Sequence, residues 1–282
     1  MYKTEKLRLT HHLDIAYIDE GYGYETLIFI HGLGSNMGAW VKNIGYLSHS
    51  FRCIALDLPG YGQSSSGNFP YSMHYYAQII KEFIEEFDLK HVTLVGHSMG
   101  GQIALTLALM GYDKVKKIVL AAPSGLESFH PFEKELIKSA SNPYFLKSQK
   151  AENIGINYDL SFYQLPKEAY FMIQERLDLM KNAQKYEDYC QLISRCIAAM
   201  LDEPVFDKLH RIHHPTLILF GANDYLIPNR LFHPTDTPLS IGNHGKQKIA
   251  YSQLSILSQC GHFVQFEAAE RFNNLVKSFV NS

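Results

Sequence analysis

The chain has 282 residues, of which 46% are hydrophobic and 19% are charged, and its formal net charge is −2. This length suits one domain with an insertion or two small domains, and the composition is that of a soluble globular protein. The near-neutral charge, without long runs of one sign, argues against nucleic acid or an anionic membrane as a partner.

The cysteines and the N-terminal segment indicate the cellular compartment of the protein. Cys53, Cys190, Cys196 and Cys260 show no CxxC spacing, which favours free, buried thiols in a reducing compartment. The N-terminal segment lacks the apolar core of a signal peptide. No apolar run reaches the ~20 residues of a membrane span. We therefore expect a cytoplasmic protein without a membrane span, and the sequence leaves its oligomeric state open.

Short apolar segments rich in β-forming residues alternate with helical patterns along most of the chain. The predicted strands cover 13–19, 26–31, 51–57, 92–96, 116–122, 215–221 and 254–259. The helical patterns between and after them cover 71–89, 99–111 and 272–280. Several predicted strands are apolar on both faces, as buried parallel strands require. The alternation predicts an α/β fold with a mostly parallel sheet and helices on both faces.

The alternation stops between Pro123 and about Pro204. Helical patterns there cover 131–140, 167–183 and 185–201. We predict a helical cap at 125–204, inserted between the predicted strands at 116–122 and 215–221. Residues 1–124 and 205–282 would then form the core domain.

The segment LVGHSMGG places Ser98 between Gly96 and Gly100, after an apolar strand and before an apolar helix. In a G-x-S-x-G turn the serine takes a strained backbone conformation, which exposes its Oγ at the edge of the sheet. Glycine is needed two positions before and two after, because a Cβ there would clash across the turn. The pattern predicts that Ser98 is a nucleophile.

A nucleophilic serine needs a base, and the base needs an acid that orients it. Asp224 follows the predicted strand at 215–221, and His262 follows the one at 254–259. The carboxyl ends of parallel strands meet at one edge of a sheet. We therefore expect His262 to take the proton from Ser98, and Asp224 to orient His262.

The segment FIHGLGS, at 29–35, follows an early strand and is typical of a loop that supplies an oxyanion donor. We expect the backbone N–H groups of Leu33 and Met99 to be the two donors. Gly32 and Gly34 would let this loop approach the substrate closely. The Met99 amide would also lie at a helix N-terminus, where the helix dipole favours negative charge.

These motifs together resemble the α/β-hydrolase family, in particular its branch with a helical cap. The resemblance extends from about Tyr17 to Val280 and is carried by HGLGSNMGAW, DLPGYGQS, GHSMGG, PTLILFGANDYLIP and GHFVQFEAAERFN. It implies an eight-stranded, mostly parallel sheet with the cap inserted after the sixth strand. Similar GHSMGG proteins include carboxylesterases, monoacylglycerol lipases and C–C bond hydrolases, and the last of these have a particularly similar C-terminal motif.

The favoured function is a carboxylesterase that cleaves a small or medium ester through an acyl-enzyme, without a metal or organic cofactor. Serine at the centre of the G-x-S-x-G turn argues against epoxide hydrolases and haloalkane dehalogenases, which the resemblance associates with an aspartate nucleophile. Two alternatives stay open: a C–C bond hydrolase of a dienoic diketone, and a slow-turnover ligand receptor of the same fold. For the C–C hydrolase, Arg176 and Arg195 are candidates to bind a carboxylate. Trp40, near the oxyanion loop, leaves perhydrolase chemistry open.

Several other residues invite a functional interpretation. Segment 233–248 is rich in turn formers and is predicted to be an extended loop near the pocket. It contains Asp236, a rival to Asp224 that does not follow a strand. We interpret His31, Asp57 and His97 as structural. The histidine-rich stretch HRIHH lacks further ligands at metal-binding spacing, so no metal site is predicted.

Overall fold

The computed structural model of the chain describes residues 2–282, without the side chain of His11. The strands are β1 (Glu5–Arg8), β2 (Asp14–Glu20), β3 (Thr26–Ile30), β4 (Arg52–Leu56), β5 (Val92–His97), β6 (Val115–Ala121), β7 (Thr216–Gly221) and β8 (Ser252–Leu257). The helices are α1 (Val41–Leu47), α2 (Met73–Glu86), α3 (Met99–Leu109), α4 (Pro131–Ala140), α5 (Pro143–Lys147), α6 (Ala151–Ser161), α7 (Tyr170–Met180), α8 (Ala183–Asp202), α9 (Pro238–Lys248), α10 (Val264–Glu267) and α11 (Ala269–Asn281).

All these strands form one sheet in the order β1-β2-β4-β3-β5-β6-β7-β8. Strand β2 is antiparallel to both of its neighbours, and the other neighbouring strands pair in parallel. This confirms the predicted α/β fold with a mostly parallel sheet of eight strands. The carboxyl ends of β3, β5, β6, β7 and β8 consequently share one edge, where open α/β sheets bind ligands.

Strand β1 is absent from the strands that the sequence pattern predicts. Its four residues, EKLR, are largely exposed at the edge of the sheet. An edge strand with little buried surface needs no apolar run, and charged side chains protect it from pairing with another chain. The hydrophobic pattern therefore carries no signal for this strand.

Helices cover both faces of the sheet, as predicted. Helices α1 and α11 pack together, and α2 packs on α3, which contacts β5. Helix α2 begins after Ser72, whose Oγ accepts a hydrogen bond from the Tyr75 amide. Its apolar face buries Ile80, Phe83 and Ile84. Helix α3 is buried on nearly all sides, which explains its almost continuous apolar sequence.

The chain between β6 and β7 forms α4, α5, α6, α7 and α8, so the insertion after the sixth strand is helical as predicted. The boundaries at 125 and 204 stay a prediction. Two of these helices have no counterpart among the helical patterns. Helix α5 is only five residues long, and α6 exposes Ile156 and Leu160 while it buries Ile154. Neither helix therefore has a single apolar stripe.

The prediction of an extended loop at 233–248 is wrong, because Pro238–Lys248 is helix α9. Thr237 and Ser240 cap its N-terminus reciprocally. The hydroxyl of each residue accepts a hydrogen bond from the backbone amide of the other. The glycines that suggested a loop instead allow close packing. A Cβ on Gly242 would lie 2.6 Å from Leu254, and one on Gly245 would lie 2.7 Å from Leu126. The helix thus lies against the sheet beside β7 and β8.

The helical insertion contacts the rest of the chain next to the loop that carries His262. Phe162, after α6, stacks on Phe263 with ring centroids 4.9 Å apart. The Glu267 carboxylate accepts hydrogen bonds from the amides of Tyr163, Gln164 and Gly261. One carboxylate thereby holds both the insertion and this loop.

No helix within residues 2–282 has the length and apolar character needed to cross a membrane.

Candidate active site

Ser98 lies at the sharp turn between β5 and α3, with φ 51° and ψ −116°. This left-handed conformation is strained for a residue with a side chain. Backbone hydrogen bonds on both sides hold it. The Ser98 amide donates to the carbonyl of Ala121 at 3.0 Å, and the Ser98 carbonyl accepts from the amides of Gly101 and Ser124. The turn is therefore fixed by β6 and the first turn of α3.

The glycines around Ser98 are required because the turn brings backbone against backbone. A Cβ on Gly96 would lie 2.3 Å from the carbonyl oxygen of Gly100, and one on Gly100 would lie 2.2 Å from that of Ile30. A Cβ on Gly32 would lie 3.1 Å from the Cβ of Ser98. The loop after β3 therefore lies directly beside the serine.

His262 and Asp224 form a buried pair. The Nδ1 of His262 and the Oδ2 of Asp224 are 2.8 Å apart, and the two residues are 4% and 0% exposed. The other carboxylate oxygen, Oδ1, accepts hydrogen bonds from the amides of Leu226 and Ile227. Because a neutral ring that donates from Nδ1 keeps a lone pair on Nε2, this arrangement prepares His262 to accept a proton.

The structure separates Asp224 from its rival Asp236. Asp236 accepts a hydrogen bond from the Ser240 hydroxyl, at the start of α9. It lies in the turn before that helix, and His262 pairs with Asp224 instead.

The backbone amides of Leu33 and Met99, which we expect to bind an oxyanion, have no hydrogen-bond acceptor within the described part of the chain. Met99 is the first residue of α3, where N–H groups have no partner inside the helix. Leu33 lines the same cavity as Ser98.

His31 and Asp57 hold loops beneath the site. His31 donates from Nδ1 to the Gly32 carbonyl, and its Nε2 accepts from the Leu58 amide. Burial lowers the pKa of this imidazole to about 4. The Asp57 carboxylate accepts from the amides of Met37 and Gln63, and burial raises its pKa to about 6. Both side chains are thus occupied by backbone partners.

His97 supports the backbone of His262. Its Nε2 lies 3.1 Å from the His262 carbonyl oxygen, and its ring packs against those of His262 and Phe263. Burial holds the pKa of His97 well below its ordinary value, so the ring is neutral and Nε2 carries the proton. Its donor is therefore used to position the residue that we expect to act as the base.

A cavity of about 340 Å³ opens above Ser98 and His262. Its wall comes from the core and from helices of the insertion, and polar side chains are prominent in it. The lining residues are Leu33, Gly34, His97, Ser98, Ser124, Asn157, Tyr158, Ser161, Arg176, Tyr189, Ile193, Leu226, Ile227, His262 and Phe263.

The two candidate arginines have different surroundings. Arg176 lines the cavity, donates from Nη2 to the Gly34 carbonyl at 2.7 Å and lies over the Tyr189 ring. Among the described residues no carboxylate lies within salt-bridge distance of it. Arg195 instead bonds Asn68 on the exposed side of α8. Only Arg176 is therefore placed to meet a ligand in this cavity.

Sequence patterns predict candidate site residues at the ends of strands, but they give little signal for the residues that form the cavity wall. Ser124 follows the carboxyl end of β6, and that position was a usable signal. Tyr189 and Ile193 reach the site from α8, and no local pattern marks which face of that helix is turned toward it. Trp40 is absent from the wall, because its ring packs between Phe29 and Phe272.

Metal ligands do not converge anywhere in the part of the chain that the structure describes: no three His, Cys, Asp or Glu side chains are grouped to hold an ion.

Comparison with known proteins identifies the family of the chain. The α/β-hydrolase fold family matches residues 25–269. The chain belongs to this family. A 2-hydroxy-6-oxononadienedioate/2-hydroxy-6-oxononatrienedioate hydrolase of Pseudomonas putida is 31% identical over 95% of this chain and 92% of that protein. The hydrolase of the same description from Escherichia coli K12 is 30% identical over 95% and 91%.

Solved structures show the same fold. An esterase from Exiguobacterium antarcticum superposes with a TM-score of 0.81 and 24% identity, over 99% of this chain and 100% of that one. A meta-cleavage product hydrolase from Pseudomonas fluorescens IP01 superposes with a TM-score of 0.77 and 24% identity, over 98% and 97%. At this level of identity the likeness extends to the fold alone.

Replacing Gly100 by alanine should destabilise the protein, because the new Cβ would overlap the backbone oxygen of Ile30. Overpacking of this kind costs about 1–3 kcal/mol or more, so we expect a clear drop in the melting temperature. Gly155→Ala in α6 is the matched control, since a Cβ added there would have no neighbour within 4 Å. Alanine there should leave stability unchanged or raise it. Equal melting temperatures for the two variants would contradict this account of the turn.

The contribution of His31 to the free energy of unfolding should fall as the pH falls from 6.5 toward 4. In that range the unfolded chain protonates His31, whereas the folded chain does not, because burial lowers the pKa of His31 from 6.5 to about 4. The loss attributable to His31 is of the order of 3 kcal/mol across this range. Urea denaturation at several pH values should show a shallower pH dependence in His31→Gln than in wild type. An unchanged slope would show that His31 does not contribute.

Proposed function

We propose that this protein is a hydrolase that cleaves a C–C bond in a 2-hydroxy-6-oxo-dienoate. In this proposal Ser98 is the nucleophile, His262 the base and Asp224 the residue that orients His262. The amides of Leu33 and Met99 bind the oxyanion. Residues 125–204 form the cap over this site. No metal or organic cofactor takes part.

The observation that carries the proposal is the position of Arg176. Its guanidinium lines the cavity that contains Ser98 and His262, and one N–H is bonded to Gly34. The remaining donors have no carboxylate partner among the described residues. A guanidinium binds a carboxylate through paired, charge-assisted hydrogen bonds. A substrate carboxylate could therefore accept hydrogen bonds from the remaining Arg176 donors, whereas a simple neutral ester would leave the guanidinium without a carboxylate partner.

The curated relatives support the same substrate class. Their names describe hydrolases of 2-hydroxy-6-oxo dienedioates and trienedioates. Such compounds carry a ketone at C6, which a serine can attack, and a carboxylate at C1, which an arginine can bind. The order of functional groups along the substrate thus matches the contents of the cavity.

The reaction starts from the keto tautomer, in which C5 has gained a proton and C2 is a ketone. His262 takes the proton of Ser98, whose Oγ attacks the C6 carbonyl, and the two amides stabilise the oxyanion. The C5–C6 bond then breaks. Its electron pair spreads as a dienolate toward the C2 oxygen, next to the carboxylate at Arg176. His262 returns the proton to the released dienolate.

Hydrolysis of the acyl-enzyme completes the cycle. His262 removes a proton from water, the resulting hydroxide adds to the acyl carbonyl, and the Ser98 oxygen leaves with that proton. The sum of both halves is one substrate plus one water giving a carboxylic acid and a 2-hydroxydienoate. Asp224 stabilises the imidazolium during each half.

Carboxylesterase activity, which the sequence motifs favour, is the second candidate. The same serine, histidine and amides would cleave an ester, and Leu226, Ile227 and Phe263 supply apolar wall for a short acyl group. A series of p-nitrophenyl esters from acetate to palmitate measures this activity directly.

We also propose a cytoplasmic location, which the four free, buried cysteines support. No contact in the cavity favours the slow-turnover receptor.

Ser98→Ala should abolish covalent labelling by a fluorophosphonate, because the reagent needs an activated serine. Ser124→Ala is the matched control: Ser124 lines the same cavity, but it is not part of the proposed catalytic group. We expect normal labelling of that variant. Intact-mass spectrometry measures both adducts. Labelling that survives in Ser98→Ala would assign the nucleophile elsewhere.

Arg176→Gln should lower kcat/KM for a 2-hydroxy-6-oxo-dienoate about tenfold to a hundredfold, the cost of one hydrogen-bonded ion contact. Turnover is followed as the loss of dienol absorbance. Hydrolysis of neutral p-nitrophenyl acetate should change little, which distinguishes lost carboxylate binding from a distorted site. Arg195→Gln, a change of the same type at the exposed cap arginine, is the control and should resemble wild type. Absence of dienoate turnover in wild type would contradict the proposed function.

A further inference from the structure

We infer that the preferred substrate carries a single carboxylate, at C1, and that its substituent beyond C6 is uncharged. This inference rests on the proposed function and makes it more specific. It separates this chain from its curated relatives, whose names describe dicarboxylates. It is based on the number of positively charged side chains that line the cavity.

Arg176 is the only Lys or Arg among the residues that line the cavity, within the described part of the chain. One guanidinium balances one carboxylate. Two of its features limit it further: Nη2 is already bonded to Gly34, and one face lies 4.0 Å from the centre of the Tyr189 ring. A second carboxylate in the cavity would therefore need another partner.

The histidines of the cavity cannot supply that partner. His97 is neutral because burial keeps its pKa well below the ordinary value, and its Nε2 donor is bonded to the His262 carbonyl. His262 must be neutral to accept the proton of Ser98. When it is protonated, the buried Asp224 carboxylate beside it already balances its charge. Neither ring thus offers a free positive charge.

The remaining wall is not built for an anion. Arg176, Tyr189 and Ile193 all come within 3.5 Å of a Cβ placed on Gly34, so they form one part of the wall. Another part follows Asp224 in sequence and consists of Leu226 and Ile227. With C1 held at Arg176 and C6 at Ser98, the group beyond C6 must lie away from the arginine. We place it against these apolar side chains.

Serine, asparagine and tyrosine side chains can soften the penalty for a second carboxylate but cannot cancel its charge. Ser124, Asn157, Tyr158 and Tyr189 are lining residues whose neutral side-chain donors make no hydrogen bond within the described part of the chain. An anion that leaves water without a cationic partner loses more hydration than neutral hydrogen bonds return. The structure therefore favours an alkyl or aryl ketone over a ketone that ends in a carboxylate.

The test compares two synthetic substrates of equal chain length, 2-hydroxy-6-oxonona-2,4-dienoate and 2-hydroxy-6-oxonona-2,4-dienedioate. They differ only in the terminal carboxylate. We expect kcat/KM to be at least about tenfold higher for the monoacid, which corresponds to one unpaired charge. Equal values, or a preference for the dienedioate, would overturn the inference while leaving C–C hydrolysis itself established.

A second cation in the wall should change the preference. Asn157→Lys, at an exposed residue of α6 that lines the cavity, should raise kcat/KM for the dienedioate relative to the monoacid by several-fold. Asn153→Lys is the matched control: it makes the same change one turn earlier on α6, at an exposed residue outside the cavity wall. It should leave the ratio as in wild type. The same ratio in both variants would count against the proposed charge balance.

Absence of turnover with both substrates would contradict the proposed function. The preference for one carboxylate would then be tested by the binding of carboxylate ligands alone. Hexanoate and adipate, a matched monoacid and diacid, compete with fluorophosphonate labelling of Ser98. We expect hexanoate to protect at lower concentration than adipate, and Arg176→Gln to remove this protection. Stronger protection by adipate would overturn the inference whatever the reaction is.

Discussion

The left-handed turn at Ser98 is the constraint on which the rest of the site depends. A side chain at φ 51° is tolerated only because Gly96, Gly100 and Gly32 let three backbone segments meet without a Cβ between them. That close approach brings the loop after β3 beside the serine and leaves the Met99 amide at the free end of α3. The strained turn therefore presents the half-buried Ser98 hydroxyl to the cavity and leaves the Met99 amide without a partner among the described residues.

The helical insertion contributes residues to the cavity wall and also shares hydrogen bonds with the loop that carries His262. The amide of His262 donates to the Ser161 carbonyl at the end of α6, and its own carbonyl accepts from His97. Glu267 binds amides of Tyr163 and Gly261 at once. A displacement of α6 would thus move the backbone of the proposed base.

Much of this arrangement could be predicted from sequence because its determinants are local. Ser98, Asp224 and His262 each follow an apolar strand, and parallel strands bring their carboxyl ends together whatever the rest of the chain does. The cavity wall could not be predicted this way. Tyr189 faces the site only because α8 packs where it does. The composition of α9 predicts a loop, because glycines that permit close packing resemble glycines that permit turns. These features depend on tertiary contacts, which periodicity does not encode.

Arg176 shows how such a contact can define a substrate when the catalytic residues cannot. The serine, histidine and amides would serve an ester, a thioester or a ketone equally, since each passes through a tetrahedral oxyanion. A cation that faces the same cavity with no carboxylate at salt-bridge distance, within the described part of the chain, gains less from its charge in the empty protein than a paired one would. A bound carboxylate gives that charge a partner. In the proposed function, Arg176 would therefore select the anionic part of the substrate, and the apolar residues after Asp224 would select the neutral part.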